Sequence, residues 1–358
     1  MSDDRFIPYR AAMSTQAERL DAVVSRVREQ LPDVGAVLSA RRPVFLGIGA
    51  SLAAAAAPVH ALRARGVAAH RSGAGDLPAG CPPLGDVVVA ISQSGRSRET
   101  VEAVEAAQEV PRAAVVNVPG SPLTRAVSTV IDLGDERDSK ASTIGFTGTL
   151  GALGLMADAW TADGPAGSAQ GWTTLGADVH TLEQGCGRTI DDLAALVAAA
   201  GSVDVSGEQA SVVAAEEGAL LLREVCRVPA TAFEMRNYLH GPTESASAPG
   251  VPASTAHVLL GTFRTAQLAT QLAEQGHAVG LVTPLSDEDL RAAGVPSGVV
   301  VLRLPQVGAP QRAVLETVVF QHLSLTLAEA RGVDADEFAF SGDDTKLDEP
   351  AAAGAAPR

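Results

Sequence analysis

Short runs of apolar residues alternate with alanine-rich stretches of helical length along this 358-residue chain, and the alternation occurs twice. Four runs fall in the first half: Val44–Leu46, Val87–Ile91, Ala113–Asn117 and Thr129–Leu133. Four more fall in the second half: Ser202–Val205, Ala256–Leu260, Val279–Val282 and Val299–Leu302. Nearly every position in these runs is apolar, which is typical of parallel strands covered by helices on both faces. The pattern therefore predicts an α/β fold with two tandem, doubly wound, flavodoxin-like parallel-sheet subdomains.

The same pattern divides the chain into five segments. They are an N-terminal helical arm (1–35), a first subdomain (36–165), connecting helices (166–200), a second subdomain (201–332) and a C-terminal tail (333–358). The tail is acidic from Asp343 and ends in the low-complexity sequence EPAAAGAAPR, so we expect it to be partly disordered.

Composition and charge exclude several classes of function. The chain has 27 basic and 42 acidic residues and a net charge of −15, which disfavours a nucleic-acid partner. Its first residues, MSDDRFIPYR, lack the basic and apolar regions of a secretory signal, and its apolar stretches are too short to span a bilayer. We therefore expect a cytoplasmic protein without a membrane partner. The three cysteines form no CxxC pair and the seven histidines no HExxH, so we predict neither a metal site nor a cofactor.

Lysine is rare in this sequence. Of the 27 basic residues, only Lys140 and Lys346 are lysines. Codon bias towards arginine explains this scarcity as readily as function does, so the count alone leaves both explanations open.

Polar motifs follow two strands of the first half, at the sheet edge where open parallel sheets bind ligands. The first is Gly47-Ile48-Gly49-Ala50-Ser51, and the second is Ser92-Gln93-Ser94-Gly95-Arg96-Ser97. No GK[ST] follows, so a nucleotide P-loop is excluded, and the incomplete glycine fingerprint disfavours an NAD-linked dehydrogenase. Hydroxyls and backbone amides at helix starts suit a phosphate monoester. Helix capping explains one serine but not the whole group, so phosphate binding is the favoured interpretation.

Five stretches of the chain resemble the sugar isomerase (SIS) family, and within it the isomerase half of glucosamine-6-phosphate synthases. They are IGAS at 48–51, SQSGRSRET at 92–100, NVPGSPLTR at 117–125 with DSKASTIGFT at 138–147, and EEGALLLREVCRVPATAFEMRNYLHGP at 216–242. QHLSLTLAEARGVDAD at 321–336 is similar to that family's last helix and the start of its tail. The resemblance runs in order over nearly the whole chain.

This resemblance implies roles for individual residues. The family's sugar-phosphate ligands match Ala50, Ser51, Ser92, Gln93, Ser94 and Ser97. Its carboxylate that moves a proton between C1 and C2 falls on Glu224, and its ring-opening histidine falls on His240. Because the neighbouring subunit donates that histidine in the family, the resemblance implies a homodimer with shared sites. Such isomerisation needs a carboxylate whose pKa burial raises towards neutrality, and a group titrating near 6.5 suits the ring oxygen.

Three departures from the family pattern affect the expected reaction. The chain begins within the helical arm, so glutamine-dependent amination is not expected from it. Leu221 stands where the family has a lysine one turn before the catalytic glutamate. The family's Schiff-base lysine aligns with Asp343 unless a short insertion places Lys346 there. Lys140 and Ser142 fall in a segment that lines the family's sugar site. We expect Lys140 to contact the phosphate or a substrate carboxylate, and Lys346 to approach the sugar carbonyl.

The leading hypothesis is a phosphosugar enzyme that acts through an enediol or enolamine. It is either an aldose–ketose isomerase or a ketosamine-6-phosphate deaminase or deglycase. The alternative is a non-catalytic phosphosugar sensor or regulator that uses the serine motifs for binding only.

Overall fold

Two parallel sheets form the framework of the protein. The computed structural model describes residues 5–77, 81, 84–160, 170–246, 255–340 and 344–347. The first sheet consists of β1 Pro43–Gly47, β2 His70–Gly73, β3 Val87–Ile91, β4 Arg112–Val116 and β5 Thr129–Asp132, in the order β2-β1-β3-β4-β5. The second consists of β6 Ser202–Gly207, β7 Ala230–Glu234, β8 Thr255–Leu260, β9 Ala278–Thr283 and β10 Val300–Arg303, in the order β10-β9-β8-β6-β7.

Both sheets have the same topology. Counted from its own first strand, each half follows the order 2-1-3-4-5, and every pairing is parallel. This order places a switch point between β1 and β3 in the first half and between β6 and β8 in the second. The predicted pair of doubly wound parallel sheets is confirmed. The sequence pattern missed β2 and β7, which are the edge strands beside β1 and β6.

Helices cover the sheets and fill the space between them. Those before β6 are α1 Tyr9–Ser14, α2 Gln16–Gln30, α3 Gly35–Leu38, α4 Ala50–Ala54, α5 Ala56–Ala64, α6 Arg98–Ala106, α7 Pro122–Ala126, α8 Ile144–Ala159, α9 Gln170–Thr173 and α10 Leu175–Ala198. Those after β6 are α11 Val212–Glu224, α12 Met235–Leu239, α13 Phe263–Glu274, α14 Asp287–Ala292 and α15 Ala309–Arg331. None of the helices in the described ranges is long and apolar enough to cross a membrane.

One hydrophobic core is shared by the two halves. It includes α2, α8, α10, α11 and α15, together with the faces of both sheets that they cover. Helix α8 is buried along its whole length up to Asp158, as expected for a helix that is apolar on every side. An ion pair reinforces the junction: Arg71 on β2 binds both carboxylate oxygens of Glu216 on α11, at 2.5 and 2.6 Å. The sheets are therefore held as one body.

A buried carboxyl group lies inside this core. Glu316 on α15 is fully buried, accepts a hydrogen bond of 2.8 Å from the Ser211 hydroxyl, and lies 3.4 Å from the Arg312 guanidinium. Burial raises the pKa of Glu316 from 4.5 to about 7, although Arg312 and the hydrogen bond from Ser211 lower it and the nearby Glu208 raises it. The folded protein therefore keeps this proton at pH values where the unfolded chain has lost it.

The titration of Glu316 should lower the free energy of unfolding as the pH rises. The group stabilises the folded state fully below pH 4.5 and loses that contribution as the pH rises through about 7. At about 1.4 kcal/mol per pH unit, the difference corresponds to roughly 3 kcal/mol. Between pH 5 and pH 8, urea unfolding should show a loss of stability that is larger in the wild type than in Glu316→Gln by roughly this amount. The exposed Glu105→Gln should behave like the wild type, and parallel pH profiles for all three proteins would contradict the assignment.

Candidate functional site

The loop after β1 is shaped by two glycines. Gly49 has a φ of 55°, in the left-handed region, and precedes the first turn of α4. A Cβ on Gly47 would lie 2.6 Å from the backbone carbon of Ser51, so only glycine allows this close approach. The turn places Ala50 and Ser51 at the carboxyl end of β1, next to the switch point of the first sheet.

The loop after β3 brings its hydroxyl groups together. Ser92 is buried, and its Oγ lies 3.2 Å from the Oγ of Ser97. Gly95 has a φ of 62°, and a Cβ there would lie 2.0 Å from the Ser121 Oγ, so the tight turn requires glycine. Ser97 precedes α6, but its side chain makes no capping hydrogen bond to that helix. The hydroxyl of Ser97 therefore faces Ser92 across the loop, and helix capping does not account for it.

A cavity of about 290 Å³ opens beside this loop, where β3, β4 and β5 end. Five of the residues that the sequence singled out line it: Gln93, Ser94, Lys140, Ser142 and Lys346. Its other lining residues are Arg5, Phe6, Arg96, Asn117, Val118, Glu136, Asp138 and Ser139. Ala50, Ser51, Ser92, Ser97, Glu224 and His240 are not among the lining residues of this cavity.

Asp138 shapes the segment that forms one wall of the cavity. Its buried carboxylate accepts hydrogen bonds from the hydroxyls of Ser142 and Thr143, at 2.7 and 2.6 Å. It also accepts from the backbone N–H groups of Ser139, Thr143 and Gly145. Asp138 thereby binds the start of α8 and fixes the position of Ser142. Sequence reasoning did not single out this residue, because its importance comes from its burial and from the bonds it accepts in the folded chain.

Lys346 reaches the cavity because the tail pairs with the loop after β3. The Leu347 N–H donates to the Arg96 carbonyl at 2.8 Å, and the Arg98 N–H donates to the Thr345 carbonyl at 3.0 Å. These bonds form an antiparallel bridge between Ser97 and Lys346. The Arg96 Nε also donates to the Leu347 carbonyl at 2.8 Å. Asp343 and the predicted disordered end of the tail lie outside the described residues.

Glu224 is the last residue of α11, which packs against α4 and therefore against the helix that carries Ser51. Glu224 is half-buried, and burial raises its pKa above the usual 4.5. Two turns earlier on the same helix face, Glu217 is fully buried, and its Oε2 has no hydrogen-bond partner within the described residues. Burial, together with the charges of Glu224 and Asp138, raises the pKa of Glu217 well above 4.5. Glu217 was not singled out from the sequence.

His240 follows α12 and is exposed. The helix before it is anchored by Tyr238, whose hydroxyl donates to the Asp204 carboxylate at 2.9 Å and lies 2.8 Å from the His257 Nδ1. Tyr238 is fully buried, and Asp204 pairs with His257 across β6 and β8. The segment that ends in His240 is thus fixed to the second sheet, with its histidine directed to the surface of the chain.

In the second sheet, the side chain of Glu208 lies at the switch point. Glu208, directly after β6, accepts hydrogen bonds from the backbone N–H and hydroxyl of Thr262 at 3.1 and 3.2 Å. The hydroxyl of Thr265 on α13 donates to the same carboxylate oxygen at 3.1 Å. A carboxylate therefore occupies the start of α13, where the first half has its serine-bearing loops.

Comparison with known families identifies the first half. Residues 37–159 match the family model described as SIS domain. Residues 37–159 form a SIS domain. The resemblance stated from its motifs is confirmed, and the SIS domain contains the loops after β1 and β3 and the 138–142 segment.

Two curated relatives carry the same name, glutamine–fructose-6-phosphate aminotransferase [isomerizing]. The protein from Pseudomonas putida is 27% identical over 269 residues, covering 70% of this chain and 42% of its own length. The protein from Aeropyrum pernix is 28% identical over 329 residues, covering 85% of this chain and 51% of its own length. The chain thus spans about half the length of these relatives.

Solved structures with the same fold cover nearly the whole chain. The C-terminal domain of glucosamine-fructose-6-phosphate aminotransferase from Francisella tularensis has a TM-score of 0.77 at 19% identity and covers 94% of this chain and 100% of its own. Tagatose-6-phosphate ketose/aldose isomerase from Escherichia coli has a TM-score of 0.72 at 18% identity, with 92% and 94% covered. Glucosamine-6-phosphate deaminase from Thermotoga maritima has a TM-score of 0.66 at 14% identity, with 91% and 97% covered. These likenesses establish the fold.

Replacing Ser97 tests whether this serine of the SIS domain serves to cap a helix. Its side chain makes no capping bond, so in a Ser92→Ala background, where its hydrogen bond to Ser92 is already absent, Ser97→Ala should change the free energy of unfolding by less than about 0.5 kcal/mol. Ser286→Ala is the matched control, because Ser286 and Asp289 form a complete capping box on α14. That control should lose about 1 kcal/mol. Urea unfolding of both variants makes the comparison, and an equal loss would mean that Ser97 is a structural cap.

Proposed function

We propose that the protein is a phosphosugar enzyme that moves a proton between carbons next to a carbonyl, as an aldose–ketose isomerase or a ketosamine-6-phosphate deaminase or deglycase. One observation carries this proposal. The SQSG loop, the 138–142 segment and the tail at 344–347 come from distant parts of the chain and converge on one cavity at the carboxyl edge of the first sheet. The names of the relatives and of the solved neighbours are those of phosphosugar enzymes, which supports the same class of substrate.

The phosphate group is assigned to the serine-bearing loops. Ser51, Ser92, Ser94 and Ser97 supply hydroxyls, and Gln93 supplies an amide, at the ends of β1 and β3. Neutral donors of this kind hold a phosphate without a lysine clamp, because several hydrogen bonds to a charged oxygen act together. The net charge of −15 does not oppose this, because such bonds act over a few ångströms while the distant surface charge is screened.

Glu224 is the proposed base. Its raised pKa means that its carboxylate is more basic than an exposed one and holds a proton more readily between the two transfer steps. Since the base form must be ionised, the rate should rise with pH through this raised pKa. Glu217, two turns earlier on the same helix, is fully buried, and burial raises its pKa, so it keeps its proton more readily than an exposed carboxyl group.

His240 and Lys346 are proposed to act from the edges of the site. His240 is exposed and lies on an anchored segment, which is the arrangement needed to reach the site of a second copy of the chain. We therefore propose a homodimer in which His240 assists ring opening in the neighbouring site. Lys346 is the amine proposed to meet the sugar carbonyl, because the tail pairing brings it to the cavity.

Glu224→Gln should lower kcat by a factor of at least about 100 while phosphosugar affinity stays within a factor of about three, because the amide keeps the shape of the side chain but cannot take a proton. The substrate panel should contain hexose 6-phosphates, their 2-amino forms and fructosamine 6-phosphates, with isomer formation and amine release both followed. Glu105→Gln, an exposed glutamate on α6, should retain full activity. Lost binding in Glu224→Gln would contradict its role as base. Binding of the panel by the wild type without any turnover would favour the sensor.

Borohydride trapping tests whether Lys346 forms a covalent bond with the substrate. Reduction in the presence of a turned-over ketose phosphate should fix the sugar to the peptide that contains Lys346, because reduction converts the imine between Nζ and the carbonyl carbon into a stable amine. Peptide mass mapping gives the readout, and Lys140 is the internal control as the only other lysine of the chain. If the peptide that contains Lys346 carried no label, the proposed Schiff base at Lys346 would be wrong.

A further inference from the structure

We propose that the cavity binds a second anionic group of the substrate in addition to the sugar phosphate, so that the natural substrate carries two acidic groups. This inference rests on the proposed function, because it places the sugar phosphate in the serine-bearing loops. It adds a substrate class, a sugar phosphate that also bears a carboxylate or a second phosphate.

The cavity is cationic although the protein is strongly acidic. Its lining contains four basic residues, Arg5, Arg96, Lys140 and Lys346, against two acidic ones. In the whole chain, the 42 acidic residues outnumber the 27 basic ones, whereas basic residues outnumber acidic ones in the lining of the cavity. Both lysines of the chain take part, and they come from segments about 200 residues apart in sequence. An excess of positive charge in a concave site raises the local concentration of anions.

The two acidic residues of the lining do not neutralise the lysines. Glu136 forms an ion pair with Arg19 at 3.0 Å. Asp138 is buried, and both of its oxygens accept hydrogen bonds from the start of α8. Within the described residues, the ammonium groups of Lys140 and Lys346 make no ion pair or hydrogen bond. The lysine charges are therefore available to a ligand.

The cavity is larger than one phosphate group needs. Its volume of about 290 Å³ equals that of about ten water molecules at roughly 30 Å³ each. It continues into a second space of about 180 Å³, since both are lined by Arg5, Arg96 and Val118. That second space contains Ser121, which is 5% exposed and whose Oγ has no hydrogen-bond partner within the described residues. The two neighbouring spaces together leave room for a ligand larger than a phosphate group.

The cationic residues are held in place by backbone pairing. Phe6 bridges to Asp138 in a parallel arrangement, and the Ile7 N–H donates to the Asp138 carbonyl at 3.0 Å, which brings Arg5 to the cavity. The tail pairing does the same for Lys346. Gln93 and Ser94 line the same cavity and belong to the loop proposed to hold the sugar phosphate. A substrate bound there by its phosphate would extend towards these cations, and its second acidic group would lie among them.

Matched pairs of ligands that differ by one acidic group test this directly by calorimetry. The pairs are glucitol 6-phosphate with 6-phosphogluconate, fructose 6-phosphate with fructose 1,6-bisphosphate, and the fructosamine 6-phosphates of glycinamide and glycine. The first and third pairs add a carboxylate and the second adds a phosphate, so they separate the two sources of charge. In at least one pair, the more acidic member should bind at least tenfold more tightly, and the ratio should fall as salt is raised.

Lys140→Gln should reduce that ratio at least fivefold while the affinity of the less acidic member changes by less than a factor of two. Lys140→Arg should keep the ratio, and Arg188→Gln, an exposed charge on α10, should leave it unchanged. Ratios within a factor of two for every pair in the wild type, or a ratio unaffected by Lys140→Gln, would overturn the second anion site. Ser94→Ala tests the proposed function separately, because it should weaken both members of every pair. Failure of all six ligands to bind would overturn the proposed function as well.

Discussion

The Asp138 carboxylate connects the core of the protein to its candidate site. It accepts hydrogen bonds from five donor groups, on Ser139, Ser142, Thr143 and Gly145, and all of them lie at or just before the start of α8. Hydrogen bonds to an ionised group are stronger than neutral ones, and a carboxylate at a helix start also meets the positive end of the helix dipole. Helix α8 is buried in the shared core. The hydrogen bonds of Asp138 to the start of this helix therefore fix the 138–142 wall of the cavity to the core. The position of Ser142 depends on this carboxylate, and the backbone of the same residue pairs with the N-terminal segment at Phe6.

The sequence predicted the central strands of both sheets because they are buried on two faces and read as continuous apolar runs. It missed β2, whose sequence HRSG is polar and partly exposed at the sheet edge. It also missed β7, which is exposed or half-buried after Ala230 and lies in a stretch that matched a helix and loop. Edge strands bury one side only, so hydrophobicity does not mark them. The glycines at 47, 49 and 95 were visible in the motifs, but the reason that each must be glycine is a close approach or a positive φ that only the folded chain shows.

Only part of the candidate site could be predicted from the sequence, because some of its residues matter through contacts that form only in the folded chain. The hydroxyl-bearing loops and the two lysines follow from motifs and composition, and the fold places Gln93, Ser94, Lys140, Ser142 and Lys346 on one cavity. Asp138 and Glu217 were missed because their importance comes from burial, which a single sequence does not report for an acidic residue. The pairing of Lys346 with the loop after β3 joins segments about 250 residues apart, and no local pattern encodes such a contact. The roles of Glu224 and His240 remain proposals that depend on the family resemblance and the geometry together.

The carboxylate of Glu208 has a consequence for the history and use of the second half. Both halves share one strand order, yet the second fills its crevice with a side chain from its own β6 loop, bonded to Thr262 and Thr265. Such a group acts as a tethered ligand: it is present at an effective concentration set by a very short linker, at least in the millimolar range. A free anion would have to displace this carboxylate in order to bind at the start of α13. The two halves therefore share a topology but differ at the switch point, where the first sheet presents serine hydroxyls and the second presents its own carboxylate.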